Sequence, residues 1–505
     1  MIYPNNFEQK IGFNDIRSLL HERCLSTLGR EQVDGMEFSI DTQQINRWLT
    51  EVREFRNIQE GLDPFPLDNV FDVRASVARI RLEGTYMEED ELFDLKRSLE
   101  TIIAVVKFLS VGEELPNGEI QHTYPALYAL SDGVATFPIL VQRISQIIDK
   151  FGKMRDSASS DLLQIRRELA RVESSISRTL NSILHSAQNE GVVERDVTPT
   201  MRDGRLVIPV APGMKRKISG IVHDESATGK TVFIEPTEVV EANNKVRELE
   251  NEERKEIIRI LREFAKQVRP YVHEILDSYH FLALIDFIRA KAELARMLKA
   301  IEPEVKSEPH IDFIRAIHPL LQLALAKKQH STINNDKPDV VIPLDIQLTI
   351  DKHLLIISGP NAGGKSVCLK TVGLLQYMLQ CGISIPVSER STAGTFQNLM
   401  IDIGDEQSIE NDLSTYSSHL MNMKTMMKQA DSHTLILIDE FGTGTEPQIG
   451  GAIAEAVLKQ FWKKQAWAVI TTHYQNLKHF AEDHKGVVNG AMLYDRHEMR
   501  PLFQL

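Results

Sequence analysis

The 505-residue chain is 42% hydrophobic and 26% charged, and its net charge is −13. This length predicts about three domains with sizeable buried cores. The net charge excludes a uniformly basic nucleic-acid-binding coat, although it is compatible with a local basic patch. The three cysteines, Cys24, Cys368 and Cys381, suggest neither a disulfide framework nor a metal cluster. The sequence has no signal-peptide pattern and no apolar run of about 18 residues, so we expect a cytoplasmic protein without a membrane span.

The N-terminal part of the chain has the apolar spacing of helices. Residues 88–110 follow a helical pattern. Residues 159–188 predict a helix about 45 Å long with a coiled-coil-like seam. The seam consists of Leu162, Ile165, Leu169, Val172, Ile176 and Ile183. A second long helix is predicted after Pro236, and its first half is nearly all polar, as is typical of a helix that projects into solvent or crosses to a partner.

The segment between these two helices is rich in β-forming residues. Apolar runs at 206–208 and 232–234 predict strands, and Asp203-Gly204 and Thr228-Gly229 predict turns. An ordinary hairpin insertion in a helical domain is one interpretation. Because both flanking helices are long, we favour a small β-rich tip, residues 189–237, carried by two helical arms.

From about residue 310 the pattern changes to α/β. Near-continuous apolar runs at 354–357, 435–438 and 466–470 predict strands buried on both faces of a sheet. Helices are predicted at 365–380 and 449–464.

The first of these strands is followed by a phosphate-binding motif. The segment GPNAGGKS matches G-x-x-x-x-G-K-[ST] and precedes a predicted helix, the context that such a P-loop requires. Its residues are Gly359, Pro360, Asn361, Ala362, Gly363, Gly364, Lys365 and Ser366. Backbone amides and the helix N-terminus would surround the phosphates, Lys365 would reach the β- and γ-phosphates of ATP, and the hydroxyl of Ser366 would bind Mg²⁺. A chance match is the alternative, and the strand-loop-helix context disfavours it.

The other two strands also end in polar residues. Asp439 and Glu440 follow the second strand, where Asp439 would hold Mg²⁺ and Glu440 would deprotonate the attacking water. His473 follows the third strand and could sense the γ-phosphate. Without the P-loop, two solvated acids and a structural histidine would be the simpler interpretation. In open α/β sheets, however, ligands bind at this edge.

The segments DLSTYSSH (412–419), LILIDEFGTGTEP (435–447) and TTHY (471–474), together with the P-loop, resemble the MutS family, a branch of the ABC-type ATPases. GIVHDESATGKTVFIEP (220–236) and IGDEQSIENDLST (403–415) resemble its paralogue branch, MutS-two, which lacks the mismatch-reading and connector domains. The resemblance covers nearly the whole chain. Two Phe-x-Glu strings, at 233–235 and 480–482, match the mismatch-reading wedge in letters only, and we discount both.

The resemblance implies a multidomain, mainly α-helical lever and core (1–188 and 238–307), a β-rich clamp tip (189–237) and an α/β P-loop ABC-type ATPase domain (308–505), incomplete at its C-terminus. It also implies a homodimer in which Ser414 contacts the ATP of the partner subunit, whereas its spacing alone suggests a helix N-cap. Gln407 would lie near Mg²⁺, and residues 442–445 would couple the two sites. Full-length relatives continue with dimer-completing helices and a nuclease-like domain, so we expect no nuclease activity from residues 1–505.

The leading interpretation is an ATP-dependent nucleic-acid clamp. The resemblance implies that such a clamp acts on branched DNA to suppress recombination, on stalled and collided ribosomes, or on both. The alternative is a structural or scaffolding ATPase of the SMC type without direct nucleic-acid contact, although that class needs arms far longer than about 45 Å. A metabolic kinase would have no use for the lever. The expected nucleic-acid contacts form a basic cluster with a local charge of +4, because Asp203 is the single acid from Thr198 to His223. The cluster contains Arg202, Arg205, Lys215, Arg216 and Lys217. A solvated, charge-mixed loop is the alternative.

Overall fold

The computed structural model describes residues 1–116, 118–202, 204–331, 341–359, 364–404, 415–443, 445–495, 500–502 and 504–505. The chain forms two compact units. The first contains Met1–Leu67, Val105–Val134 and His280–Leu505, and the second contains Asp68–Ala104 and Ala135–Tyr279. These units cut across the three predicted domains, whose boundaries remain a proposal.

The first 134 residues are mainly helical. The elements in chain order are β1 (Ile2–Tyr3), α1 (Phe7–Ile11), α2 (Phe13–Arg23), α3 (Thr27–Asp34), α4 (Thr42–Glu60), α5 (Arg74–Arg79), α6 (Glu89–Leu109), β2 (Gly112–Glu114), β3 (Ile120–His122) and α7 (Pro125–Ser131). The helix predicted at 88–110 is confirmed as α6.

The next part contains the longest helices of the described chain. Its elements are α8 (Pro138–Ile147), α9 (Ser160–Asn189), β4 (Thr200–Arg202), β5 (Arg205–Val210), β6 (Gly220–Glu225), β7 (Val232–Pro236), α10 (Thr237–Val268) and α11 (Val272–Leu298). Both predicted long helices are confirmed, α9 with 30 residues and α10 with 32.

The remaining elements are α/β, as the strand pattern predicts. They are β8 (Glu304–Lys306), β9 (Ile311–Ala316), α12 (Pro319–Ser331), β10 (Leu344–Leu348), β11 (Lys352–Ser358), α13 (Lys365–Gln380), β12 (Thr392–Gly394), β13 (Asn398–Asp402), α14 (Thr415–Gln429), β14 (Thr434–Ile438), α15 (Pro447–Lys463), β15 (Trp467–Thr471), α16 (Gln475–Asp483), β16 (Gly486–Ala491), β17 (Tyr494–Asp495) and β18 (Arg500–Pro501).

A six-stranded sheet organises the first unit. Its order is β1-β13-β14-β15-β11-β16, and every neighbouring pair is parallel. The three predicted strands are β11, β14 and β15, and all residues of β14 and β15 are buried. Alternate apolar side chains of β14 and β15 join a core with α15 and α16, which fits a sheet covered by helices on this face. The sheet also includes β1 at one edge, although the sequence indicates only helices there.

The tip sheet, β4, β5, β7 and β6 in that order, is antiparallel throughout. It shares a hydrophobic core with α9 and α10 of the second unit. Within α9 the fully buried positions shift from the predicted seam, since Leu180 and Leu184 are buried and Ile183 only partly. The polar first half of α10 does not simply project into solvent, because one face of it buries Val239 and Val246 against this core.

A third sheet, with the order β10-β9-β12-β8, belongs to the first unit. Among the residues that the structure describes, no helix combines the length and apolarity needed to cross a membrane.

Candidate functional site

Three parallel strands end side by side at one edge of the six-stranded sheet. In the register, Ile357 of β11 pairs with Thr471 of β15, and Ile438 of β14 pairs with Ile470 of β15. The residues that follow these strands therefore lie next to one another, where ligands bind in open α/β sheets. We call this region the phosphate edge: Gly359, Lys365, Asp439, Glu440, Thr471 and His473.

Lys365 is the first residue of α13, and its side chain reaches into the phosphate edge. Its Nζ donates a hydrogen bond to the carbonyl oxygen of Gly359 at 2.7 Å and lies 3.3 Å from Nε2 of His473. The residue is only 2% exposed. Burial lowers the pKa of the Lys365 ammonium, and the carboxylates of Asp439 and Glu440 oppose that effect. A cation at a helix N-terminus, with acids nearby, suits a phosphate accompanied by a metal ion.

Two glycines of the P-loop have unusual backbone conformations. Gly359 has φ +138°, and a side chain there would begin 3.3 Å from Cβ of Met492. Gly364 caps α13 in the left-handed conformation, with φ +88°. Both positions therefore favour glycine. Ser366, the second residue of α13, is exposed.

Several predicted site residues lie outside the described residues. They are Pro360, Asn361, Ala362, Gly363, Gln407 and Ser414. Their predicted contacts with phosphate, Mg²⁺ and a partner's nucleotide stay predictions.

Thr471 joins the two acids, a role that its position at a strand end did not suggest. It is fully buried. Its hydroxyl donates to Oδ1 of Asp439 at 2.5 Å and accepts a hydrogen bond from the backbone N–H of Glu440 at 2.8 Å. One side chain of β15 therefore orients both acids that follow β14. The sequence shows only that Thr471 is a polar residue at the C-terminal end of an otherwise apolar strand, and this pattern alone does not assign it a role.

Glu440 has an unusual backbone for its residue type. Its φ is +49°, in the left-handed region that non-glycine residues seldom occupy. The backbone N–H and the hydroxyl of Thr443 both donate to the Glu440 carbonyl, at 3.1 and 2.8 Å. Its side chain is exposed, so a water molecule can reach the carboxylate. Strain of this kind clusters at functional sites.

The segment after β15 is held by its own hydrogen bonds. The backbone N–H of Thr472 donates to Ile357 at 3.1 Å, and the Tyr474 hydroxyl donates to the carbonyl of Gly442 at 2.9 Å. These contacts fix the turn that carries His473. They also connect it to the loop after Glu440, part of which was predicted to couple two sites.

A second network, which sequence reasoning missed, is centred on Asp402 at the end of β13. This residue is 1% exposed. Its carboxylate lies 2.7 Å from Nδ1 of His419 and accepts from Nδ2 of Asn422 at 2.9 Å. The Tyr3 hydroxyl donates to Oδ1 of Asn422 at 2.7 Å. The network connects β1, β13 and α14, and His419 belongs to the segment that resembles the ABC-type signature.

The phosphate edge offers hard oxygen donors of the kind that Mg²⁺ prefers. These are the carboxylate of Asp439 and the hydroxyl of Ser366. Within the described ranges, no group of three or more His, Cys, Asp or Glu residues could hold a metal ion by itself. The donor set therefore fits an ion that arrives bound to phosphates. The protein would supply only part of the coordination shell of that ion.

The basic cluster of the tip sheet divides into two kinds of residue. Arg205 donates to both carboxylate oxygens of Glu235, at 2.7 and 2.8 Å, and its side chain is 13% exposed. Arg202 lies over the ring of Phe233, 4.3 Å from its centroid, and 3.9 Å from a carboxylate oxygen of Asp224.

Lys215, Arg216 and Lys217, by contrast, are exposed in the loop before β6. The guanidinium of Arg205 binds a fully buried carboxylate, and its predicted contact with nucleic acid stays a prediction.

Comparison with known proteins agrees with the geometry of the phosphate edge. Residues 355–504 match the family model described as MutS domain V, which is a P-loop ATPase domain. Over 98% of its length, the chain is 36% identical to "Endonuclease MutS2" of Geobacillus sp. (strain WCH70) and 37% identical to that of Finegoldia magna (strain ATCC 29328 / DSM 20472 / WAL 2508).

The protein of the same name from Enterococcus faecalis (strain ATCC 700802 / V583) is 35% identical over 98% of the chain. The chain spans about 60% of the length of each of these relatives. The resemblance seen in the motifs is thus confirmed along almost the whole sequence. The chain is therefore similar to MutS2-type proteins along almost its whole length, and its residues 355–504 match MutS domain V.

Proposed function

We propose that the chain binds ATP with Mg²⁺ at the phosphate edge and hydrolyses it. The observation that carries the proposal is the convergence of a buried ammonium, Lys365, with Asp439, Glu440 and His473 at the ends of three adjacent parallel strands. A structural ion pair between Lys365 and one acid would explain why the ammonium is buried. It would not explain the left-handed backbone of Glu440 or its exposed carboxylate.

Each residue has a role that its surroundings support. Lys365 neutralises the β- and γ-phosphates, and the N-terminus of α13 adds partial positive charge. Ser366 and Asp439 hold Mg²⁺, which when bound offsets charge on the phosphates. Glu440 accepts a proton from the attacking water. His473, held 3.3 Å from Lys365, donates to an oxygen of the γ-phosphate.

We further propose that two copies complete each site. The family resemblance assigns Ser414 to the nucleotide of the partner subunit, and Asp402 supports this by anchoring α14, the helix that follows Ser414, through His419. ATP would then hold a homodimer closed around a large anion. Branched DNA and the ribosome are both candidates, with Arg202, Lys215, Arg216 and Lys217 of the tip as contacts.

The test is the rate of ATP hydrolysis measured alone and with linear duplex, branched DNA or ribosomes. Lys365→Ala, purified in parallel, controls for contaminating ATPases. We expect hydrolysis that rises with one of the anionic partners and faster than linearly with protein concentration. Absence of hydrolysis above the Lys365→Ala background under all four conditions would contradict the proposed activity. Strictly linear scaling down to nanomolar protein would contradict the shared site.

A further inference from the structure

A cavity of about 420 Å³ lies at the end of α13 opposite the phosphate edge. Its wall includes Cys381, the residue that follows α13, together with side chains from α4 and α11 of the same compact unit. The helix is 16 residues long, so about 24 Å separates this cavity from the P-loop. The size is within the usual range of small-molecule sites.

The cavity contains a buried carboxyl group that the rest of the described protein leaves unpaired. Glu51 of α4 is 4% exposed, and no described residue gives it a hydrogen bond or an ion pair. Burial raises the pKa of Glu51 to about 7, and the positive charges of Lys291 and Arg47 oppose that effect. A buried acid normally has hydrogen-bond partners.

Glu54, one turn further along α4, shows the ordinary arrangement. It is 7% exposed, and its carboxylate accepts hydrogen bonds from the backbone N–H groups of Ala126 and Leu127 at 3.0 and 2.9 Å. It therefore caps α7. The two buried glutamates of α4 thus differ in their hydrogen-bond donors: two backbone N–H groups donate to Glu54, and no described residue donates to Glu51.

A lysine with spare hydrogen-bonding capacity lines the same cavity. Lys291 of α11 is 4% exposed, and its Nζ donates to the carbonyl of Cys381 at 3.0 Å. Its ammonium lies 4.3 Å from the ring centroid of Phe287 and 5.6 Å from that of Trp48. An ammonium has three donors, and one is used here. Two polar groups of opposite charge and flat aromatic surface therefore share one cavity.

The charges of the lining balance each other. Glu51 and Lys291 are buried, while Glu37 and Arg47 are exposed lining residues. Each pair contains one acid and one base, which disfavours a strongly charged ligand. The aromatic rings of Trp48 and Phe287 favour a planar one. A neutral, planar molecule with adjacent donors and an acceptor on one edge meets all these requirements.

We propose that this cavity is a second small-molecule site, distinct from the phosphate edge, and that it binds a guanine-type base. The two N–H groups on the edge of guanine would donate to Glu51, and its O6 would accept from Lys291, as lysine binds O6 in other settings. Adenine offers one exocyclic donor group and lacks O6, so it fits the pair less well.

The test is calorimetric titration of guanosine, and of adenosine in a parallel arm, into the full chain and into three variants. Glu51→Gln replaces one acceptor with a donor, and Glu60→Gln changes an exposed glutamate of the same helix as the matched control. Lys365→Ala separates this cavity from the phosphate edge. Thermal unfolding of each variant confirms that it is folded.

We expect guanosine to bind the parent, Glu60→Gln and Lys365→Ala equally, with adenosine at least tenfold weaker. Glu51→Gln should weaken guanosine binding by about 10- to 100-fold, because the amide can accept from one N–H of guanine but places its own donor against the other. Lack of guanosine binding up to millimolar concentration would overturn the proposal. Equal binding by Glu51→Gln, or equal affinity for adenosine, would also overturn it. Loss of binding in Lys365→Ala would place the nucleoside at the phosphate edge instead.

Discussion

The phosphate edge and the tip sheet use charged residues in opposite ways. At the phosphate edge, the charge is assembled by buried groups: Lys365 is 2% exposed, and fully buried Thr471 orients both acids. In the tip sheet, the buried group is Glu235, and it binds Arg205 into the fold while Lys215 stays exposed. A charged residue near a proposed site is therefore informative only when its partners are known.

The comparison predicts that, at the phosphate edge, a change of Glu440 causes the largest loss of ATP turnover. Glu440→Gln keeps the size of the side chain but cannot accept a proton from water. Nucleotide should still bind, and turnover should fall by about 10²- to 10⁴-fold in a single-turnover assay. Glu446→Gln, exposed at the start of α15, is the matched control. Normal hydrolysis by Glu440→Gln would remove it as the base.

In the tip sheet, the largest expected loss is one of stability. Glu235→Gln leaves Arg205 and His223 without a buried anion and should destabilise the tip by about 3 kcal/mol. Hydrogen exchange of β5 and β7 amides would measure this, with exposed Glu225→Gln as the control. Unchanged protection in Glu235→Gln would mean that the ion pair does not hold the tip together.

The same carboxylate predicts how the tip responds to pH. Burial alone would raise the pKa of Glu235, but hydrogen bonds from Asn243, His223 and Arg205 hold it below its ordinary value. A lowered pKa means that the folded state resists protonation. Its contribution to stability is therefore complete above the ordinary glutamate pKa and is lost as pH falls through the lower folded-state value. Amide protection in Glu235→Gln should lack this acid-dependent loss.

Removal of the hydroxyl that joins the two acids should have a smaller effect on the phosphate edge. Thr471→Val retains the shape of the side chain but leaves the backbone N–H of Glu440 and a carboxylate oxygen of Asp439 without this partner. Losing one or two such bonds, at roughly 1–3 kcal/mol, predicts a fall in turnover of about 10- to 100-fold. Thr471→Ser should recover most of the rate. If Thr471→Val hydrolyses ATP as the parent does, the hydroxyl does not position the acids.

The smallest effect is expected at the exposed part of the tip. Changing Lys215, Arg216 and Lys217 together to alanine should flatten the log–log salt dependence of DNA binding by about two to three units, at about −0.9 per phosphate. Arg254→Ala with Lys255→Ala, exposed on α10, is the control. ATP binding should not change. An unaltered salt slope in the triple variant would place the anion contact elsewhere.

The phosphate edge was largely predictable from the sequence because its groups follow strands and a motif of fixed spacing. The helix predicted at 365–380 is α13 with those bounds. The ion pair of Arg205 was not predicted, because its partner, Glu235, is 30 residues away and joins it through the pairing of β5 with β7. Local charge counts cannot reveal such a pair.

The edge strand and the buried network were missed for a related reason. The two residues of β1 are too few to show a period, and their partners in β13 are 397 residues away. Thr471 and Asp402 are single polar residues at the ends of apolar strands. Their importance depends on which strands are neighbours, and that order is a property of the folded sheet.

The most direct test of the central claim is calorimetric titration of Mg²⁺-ATP into the parent chain, Lys365→Ala and Lys352→Ala. Both lysines belong to one strand-loop-helix unit, in which exposed Lys352 begins β11 and Lys365 begins α13. We expect the parent and Lys352→Ala to bind equally. Lys365→Ala should bind at least tenfold more weakly, since charged hydrogen bonds to the β- and γ-phosphates are lost. Equal affinity in all three proteins would contradict the assignment of the phosphate edge as the ATP site.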